Sequence, residues 1–384
     1  MKTTDKLLIL AFIIFIFTPG IGLFLKKDPN EIRTALNREP NSFPAVNFKR
    51  LGKTNFKGIE SWFADQALLV TSFSKFWSDF NYSLGVSSKP KDTIIGKNGW
   101  LFLGNFYNSP LDQYTGKLPP TSAEINSTSN SIKRLYNVAQ QNNIPFLVTI
   151  APDKQTIYPE FLPSYLKKTT LPTRYDLIME QLKANHIDFI DLEEVELKAK
   201  NTLGQKYGDI YLKCDSHWNM LGAYAAYQAI ANYIIKLGIQ INKINYDFIP
   251  GKNKRGDLSH FIQITTCESN HPLPDTSTLA IDWWEKDESG KHKLTPFTYS
   301  SKNGLLMPHE VINKSVKNNL TALVIGDSFL ESLMFYFRNN FHNTIRVHVS
   351  NRNIKLTELI NRYHPDIIIF ELVERSLMNF YTEL

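Results

Sequence analysis

The chain has 384 residues, 42% of them hydrophobic, with 43 Lys and Arg against 37 Asp and Glu and only 2 cysteines. This profile argues against a disordered, collagen-like, disulfide-scaffold or multi-pass membrane protein and leaves ample chain for a core. A formal charge of +6 without a dense Lys/Arg block among aromatics argues against nucleic acid as partner, while an acidic surface polymer stays compatible.

No charged residue occurs from Leu7 to Leu25, and Leu7 to Phe17 is apolar throughout. As a helix this stretch nearly matches a hydrocarbon core of about 30 Å. Pro19 and Gly20 would break a soluble helix. No Ala-x-Ala cleavage site follows, so the reading is an uncleaved signal anchor over residues 1–27, ahead of a removed signal peptide or a buried core helix. The body is then extracytoplasmic. Cys214 and Cys267 can pair there, although two cysteines make no framework.

Residues 28–90 read as a membrane-proximal linker with Pro29, Pro40 and Pro44. It ends in a helix from about Ser61 to Phe80, on the spacing of Trp62, Phe63, Leu69, Phe73, Phe76 and Trp77. Ile94 to Leu103 predicts a hairpin that turns at Asn98-Gly99 and buries Ile94, Trp100 and Phe102. The remainder, residues 91–384, alternates helix and strand. A helix from Thr121 to Asn142 precedes strand Phe146 to Ile150, and one from Thr173 to Ala184 precedes Ile187 to Ile190. Tyr207 to Lys213 reads as a short strand before an Ala-rich helix, Met220 to Lys236. Residues 240–318 are turn-rich. The alternation resumes with strand Ala322 to Ile325, helix Phe329 to Arg338, strand Thr344 to Val349, helix Leu356 to Tyr363 and strand Ile367 to Phe370. The fold class is α/β, a mainly parallel sheet flanked by helices.

Active sites in such sheets gather at the carboxyl ends of strands. Val324-Ile325-Gly326-Asp327-Ser328-Phe329 is a strand that turns directly into a helix, which presents the Ser328 hydroxyl where backbone N–H groups can hold an oxyanion. Taken alone, Asp327 or Ser328 does as well as a helix cap. Asp215 and His217, two apart on the loop before the Ala-rich helix, supply a base and the carboxylate that orients it. Alone, they also read as a surface histidine beside a cap. No third residue makes a metal set with them, and no Cys-x-x-Cys or His-Glu-x-x-His spacing occurs. Together the two motifs define a hydrolase or acyltransferase triad of Ser328, His217 and Asp215 that needs no cofactor.

At these residues the sequence resembles the SGNH-hydrolase-like polysaccharide O-acetyltransferases of the alginate-acetylation AlgJ/AlgX type. The likeness runs through Ile95 to Phe102, Ala151-Pro152-Asp153-Lys154, Tyr158-Pro159-Glu160, Asp215-Ser216-His217-Trp218, Gly256-Asp257-Leu258, Gly326-Asp327-Ser328-Phe329 and Glu374-Arg375. The Asp-x-His pair precedes the nucleophile here, reversing the order of ordinary SGNH esterases. The resemblance implies an extracytoplasmic enzyme that acetylates polysaccharide hydroxyls through an acetyl-serine, with acetyl supplied by a membrane-bound O-acyltransferase and the chain held to the membrane by its amino-terminal helix. Lys154, Tyr158, Trp218 and Arg375 are expected to touch substrate, with Lys154 reading equally as the structural partner of a carboxylate, and a side chain of Asn351 to Asn353 or Arg375 is expected to complete the oxyanion hole. Trp218 and Trp283-Trp284 offer either sugar stacking or core packing. A carbohydrate O-acetylesterase and a non-catalytic polysaccharide-binding scaffold are the competing readings. With no carboxyl-terminal carbohydrate-binding module expected, grip on the polymer falls to the catalytic domain.

Overall fold

Runs of apolar side chains that point alternately to both faces build the central sheet of the computed structural model, which describes residues 3–21, 39–44, 53–66, 68–286, 292–294, 308–350 and 355–380. Strands β1 (Thr93–Ile95) and β2 (Leu101–Leu103) form a separate hairpin. They are followed by β3 (Phe146–Ala151), β4 (Phe189–Ile190), β5 (Phe248–Pro250), β6 (Pro272–Pro274), β7 (Trp283–Lys286), β8 (His292–Leu294), β9 (His309–Asn313), β10 (Thr321–Gly326), β11 (Asn343–His348) and β12 (Ile367–Val373). The main sheet has the order β4-β3-β12-β10-β11-β9-β7-β8. Its first five strands are parallel, and β9, β7 and β8 extend it in antiparallel fashion.

On β10, Ala322 and Val324 face one core and Leu323 and Ile325 the other; on β12, Ile367 and Ile369 oppose Ile368 and Phe370 in the same way. The first core is closed by helices Met220–Lys236 and Leu330–Arg338, the second by Ser122–Gln141, Arg174–Ala184 and Leu356–Tyr363. Both faces are therefore covered, which is why these strands read as unbroken apolar runs. Small residues let the Ala-rich helix lie close to its neighbours: Ala223, Ala226 and Ala231 are fully buried.

Some expectations change. The helix expected from Ser61 to Phe80 is two helices, Lys53–Gln66 and Leu68–Ser83. The first hairpin does not turn on two residues: β1 and β2 pair from Ile95↔Leu101 outward, and Asn98 and Gly99 sit at positive φ within a short 3-10 turn. Trp100 and Phe102 are buried, whereas Ile94 is only half-buried. Tyr207 to Lys213 is not a strand. Its beginning closes helix Leu203–Tyr207, and Tyr211 makes a single bridge with Trp218. Leu192–Asn201 is an additional helix, capped by Asp191, whose side chain accepts from the N–H groups of Glu193 and Glu194. Cys214 and Cys267 are joined in a disulfide.

At the amino terminus, Thr3–Ile21 is helical, while the end of the apolar run lies outside the described residues. Among the described residues no helix is long and apolar enough to cross a membrane.

Candidate active site

The carboxyl ends of β3, β12 and β10 lie side by side, and each continues into polar or charged residues: Asp153 and Lys154, Glu374 and Arg375, Asp327 and Ser328. Gly326 ends β10 because there is little space for a side chain: a Cβ there would lie 2.7 Å from the Glu371 carbonyl and 2.8 Å from Leu330 Cδ1. Asp327 then fixes the turn. Its Oδ1 accepts the Phe329 N–H at 3.0 Å and its Oδ2 accepts the Val373 N–H at 2.8 Å. Asp327 thus serves as the cap and the staple to β12, and the Ser328 hydroxyl is left to face His217. The Ser328 amide meets no protein acceptor among the described residues. It stands at the start of helix Leu330–Arg338, where the unpaired N–H and the helix dipole favour negative charge.

The loop carrying Asp215 and His217 is closed at its base by two backbone bonds, Asn219 N–H to Ile210 at 3.0 Å and Leu212 N–H to His217 at 3.1 Å. His217 Nε2 lies 2.7 Å from Ser328 Oγ, and His217 Nδ1 lies 2.6 Å from Asp215 Oδ1. An ionised carboxylate can only accept, so Nδ1 carries the proton and Nε2 is free to accept from the serine. Asp215 receives two further donors, the His217 N–H at 3.0 Å on Oδ1 and the Asp257 N–H at 2.9 Å on Oδ2. Burial opposes its charge, but the imidazole and these N–H donors outweigh burial and hold its pKa well below the carboxylate range. For His217 burial disfavours the imidazolium, and the Asp215 and Asp257 carboxylates overcome it, so its pKa is raised above 6.5.

Asp257 is the participant that residue chemistry did not single out. Its Oδ1 accepts the Ser216 N–H at 2.8 Å, its Oδ2 accepts the Ser216 hydroxyl at 2.5 Å, and Oδ2 sits 3.7 Å from His217 Nδ1. It begins a five-residue helix, Asp257–Phe261, inside the turn-rich region, so neither periodicity nor an adjacent strand marks it. The preceding Gly256 is the local signal. A side chain there would collide with Asp215 Cβ and the Cys214 carbonyl, so a glycine is required for this helix to approach the Asp215 loop. Asp215, His217 and Asp257 bring one ligand atom each within 4.8 Å of one another. However, both ring nitrogens and both carboxylates are already engaged in the bonds above.

Three residues expected to touch substrate are instead buried supports. Lys154 is 2% exposed, and its ammonium donates to the carbonyls of Leu212 at 3.0 Å, Lys213 at 3.3 Å and Asp215 at 2.5 Å. Burial pushes its pKa down to about 7, yet three carbonyl acceptors are the surroundings of a charged ammonium. Tyr158 stacks on Trp100 with centroids 4.6 Å apart, and its hydroxyl accepts the Ile210 N–H at 3.0 Å. The Trp218 indole donates to the Phe329 carbonyl at 3.0 Å and so ties the histidine loop to the serine turn. Arg375 does border the site, its guanidinium 5.4 Å above the Phe329 ring, but it is paired with the buried Asp153. Of the tryptophan pair, Trp283 is in the core, and Trp284 is covered by Lys314, whose Nζ is 3.7 Å from the ring centroid. Asn351 to Asn353 lie outside the described residues.

The family described as "SGNH hydrolase-like domain, acetyltransferase AlgX" matches residues 93–352, more than half of the chain and inclusive of Asp215, His217 and Ser328. The chain belongs to that family. Among named relatives, the probable alginate O-acetylase AlgJ of Azotobacter vinelandii is 24% identical over 213 residues, covering 53% of this chain and 50% of that protein. The Pseudomonas aeruginosa AlgJ is 22% identical, covering 50% and 46%. This AlgX-family chain therefore spans about half the length of the relatives it matches. Among solved structures, Bacillus cereus PatB1 superposes with a TM-score of 0.54 at 17% identity, covering 74% of this chain and 96% of that one. A DHHW family protein from Eubacterium siraeum gives 0.55 at 13% identity, covering 77% and 94%. These likenesses show the α/β fold, and the family description names it SGNH hydrolase-like.

The raised pKa of His217 sets a pH dependence. Only the neutral imidazole can take the serine proton, so kcat/KM for an acetyl ester is expected to rise with unit slope to a plateau, with its midpoint above 6.5. Asp257→Asn removes one of the carboxylates that favour imidazolium and should move that midpoint down. A pH–rate profile checks both, and an unmoved midpoint in the variant would separate Asp257 from the histidine.

Proposed function

We propose that this protein is an extracytoplasmic O-acetyltransferase that moves acetyl groups onto polysaccharide hydroxyls by way of an acetyl-Ser328 intermediate. The supporting observation is the line of contacts from Ser328 Oγ through His217 to Asp215, at 2.7 and 2.6 Å, beside a Ser328 amide that meets no acceptor among the described residues. His217 Nε2 takes the Ser328 proton as Oγ attacks the acetyl carbonyl, and the oxyanion forms against the Ser328 N–H. The proton passes from His217 to the departing group, which leaves acetyl-Ser328. A sugar hydroxyl then gives its proton to His217 and attacks the acetyl carbon, and the proton returns to Ser328 as the ester bond to the enzyme breaks.

The relatives named alginate O-acetylases support a uronate polymer as acceptor. The Cys214–Cys267 bridge supports an oxidising compartment. In the same reading, the apolar amino-terminal segment attaches the chain to the membrane, where a membrane-bound O-acyltransferase supplies acetyl.

The test is the full chain with a chromogenic acetyl ester and oligomannuronate. Intact-protein mass spectrometry should find one added acetyl on Ser328, and the oligosaccharide should gain acetyl groups. Acetate release without acetylated sugar would make the protein an esterase, and absence of any acetyl-enzyme would leave a binding scaffold.

A further inference from the structure

Burial of Trp218 and Trp283 removes two of the aromatic side chains that the sequence offered to a sugar ring, but the loop after β2 carries two exposed rings. Phe106 is 66% and Tyr107 45% exposed. Their rings meet edge to face at 4.8 Å, and Tyr107 lies nearly parallel to Phe261, with centroids 5.7 Å apart and planes at 23°. Phe261 belongs to helix Asp257–Phe261, one turn beyond the Asp257 carboxylate that neighbours His217. The other end of the loop reaches the serine side. Gln113 Nε2 donates to the Asn108 carbonyl at 2.5 Å and to the Arg375 carbonyl at 3.3 Å, and the Arg375 guanidinium covers Phe329.

The loop is held rigid while its rings stay open to solvent. The Phe106 N–H donates to the Lys91 carbonyl at 2.9 Å, and Asn105 Oδ1 accepts the N–H groups of Leu111 and Asp112 at 3.1 and 3.2 Å. Asn108 and Ser109 are both in the left-handed region, at φ 56° and 47°. For a serine this conformation is unfavourable unless its surroundings enforce it. A rigid loop that holds backbone strain and exposes two aromatic rings against the helix that carries Asp257 fits a preformed binding surface, which loses little entropy when a ligand arrives.

We propose that Phe106 and Tyr107, backed by Phe261, form a stacking platform for a pyranose ring of the acceptor polysaccharide. The platform would hold one sugar while another presents its hydroxyl to acetyl-Ser328. Three rings are too little apolar surface for a stable protein partner, whereas the C–H face of one sugar ring matches them, with the exposed Lys91, whose carbonyl holds the Phe106 N–H, beside them for its polar groups. This proposal rests on the acetyl-transfer reading for its purpose, but its binding test does not.

The experiment titrates oligomannuronate hexamer and cellohexaose into the full-length Ser328→Ala protein by calorimetry, alone and with Tyr107→Ala or Phe106→Ala. At least one hexamer should bind, and each added substitution should raise its Kd about tenfold, the scale of one lost aromatic contact. Tyr107→Phe should restore binding, because it keeps the ring. With Ser328 present, Tyr107→Ala should raise the KM for the hexamer and divert acetyl from sugar to water. Equal binding by parent and variants, or binding of neither hexamer, overturns the platform. If the hexamer binds through Tyr107 but no acetyl-Ser328 ever forms, the platform stands and the acetyl-transfer reading falls.

Discussion

Replacing Asp215 with asparagine should lower kcat for acetyl-ester turnover by about three to four orders of magnitude while leaving the fold intact. The loss follows from counting donors. Asp215 accepts three N–H groups: the His217 ring and main chain on Oδ1, and the Asp257 main chain on Oδ2. An asparagine has one acceptor oxygen. If that oxygen stays toward His217, the amide nitrogen opposes the Asp257 N–H, donor against donor, in a partly buried loop. If it flips, the amide nitrogen faces Nδ1, which must then accept, and the proton moves to Nε2. A protonated Nε2 cannot take the hydroxyl proton of Ser328, 2.7 Å away. Ser328→Ala and His217→Ala should each cost at least as much, and Ser328→Ala with His217→Ala little more than either alone, since the residues act as one unit. Stopped-flow or steady-state assays of the four variants measure this directly. Additive losses, or an Asp215→Asn enzyme within tenfold of the parent, would reject the proposed relay.

The residues of the proposed triad, which the fold brings within hydrogen-bond distance, were legible because each lies beside a strong local pattern. Ser328 follows an apolar strand and precedes an amphipathic helix, and His217 stands three residues before an Ala-rich helix that the structure reproduces at Met220–Lys236. Its supports were not legible. Lys154 is a cation, and a sequence gives no sign that its charge is turned inward to three carbonyls. The run Ile210-Tyr211-Leu212 has the composition of a strand, but its backbone is spent on closing the tight Asp215 loop. Trp218 suited a sugar as well as the more common fate of core packing, and what decides is its indole N–H, which reaches the Phe329 carbonyl only in the folded chain. Phe106 and Tyr107 carried no motif. Their exposure becomes visible only when the hairpin and the Asp257 helix are packed together.

Lys154 carries the second large expectation, because it converts burial into alignment. Lys154→Met keeps the length of the side chain and its packing beneath Trp100 and Phe102, whose centroids lie 5.6 and 5.3 Å from the ammonium. It removes the donors to Leu212, Lys213 and Asp215. Carbonyls left buried without a partner cost about 1 to 3 kcal/mol each, offset in part by relief of burying a charge, so a net loss of about 3 kcal/mol is expected. Urea unfolding would show it as a lower midpoint at an unchanged slope. The loop will relax to hydrate these carbonyls, and Asp215 is on it. In the protein that remains folded, kcat should therefore fall about 10- to 100-fold with little change in KM for a small ester, and the pH midpoint of His217 should drop as its carboxylate moves away. Lys154→Arg should not rescue either property, since a planar fork cannot direct three donors into the space of one ammonium. A variant that loses stability but keeps both kcat and the pH midpoint would reduce Lys154 to a structural clamp. The alternative result, lost rate and a shifted midpoint well below the unfolding transition, would identify the buried ammonium as the group that aims the triad.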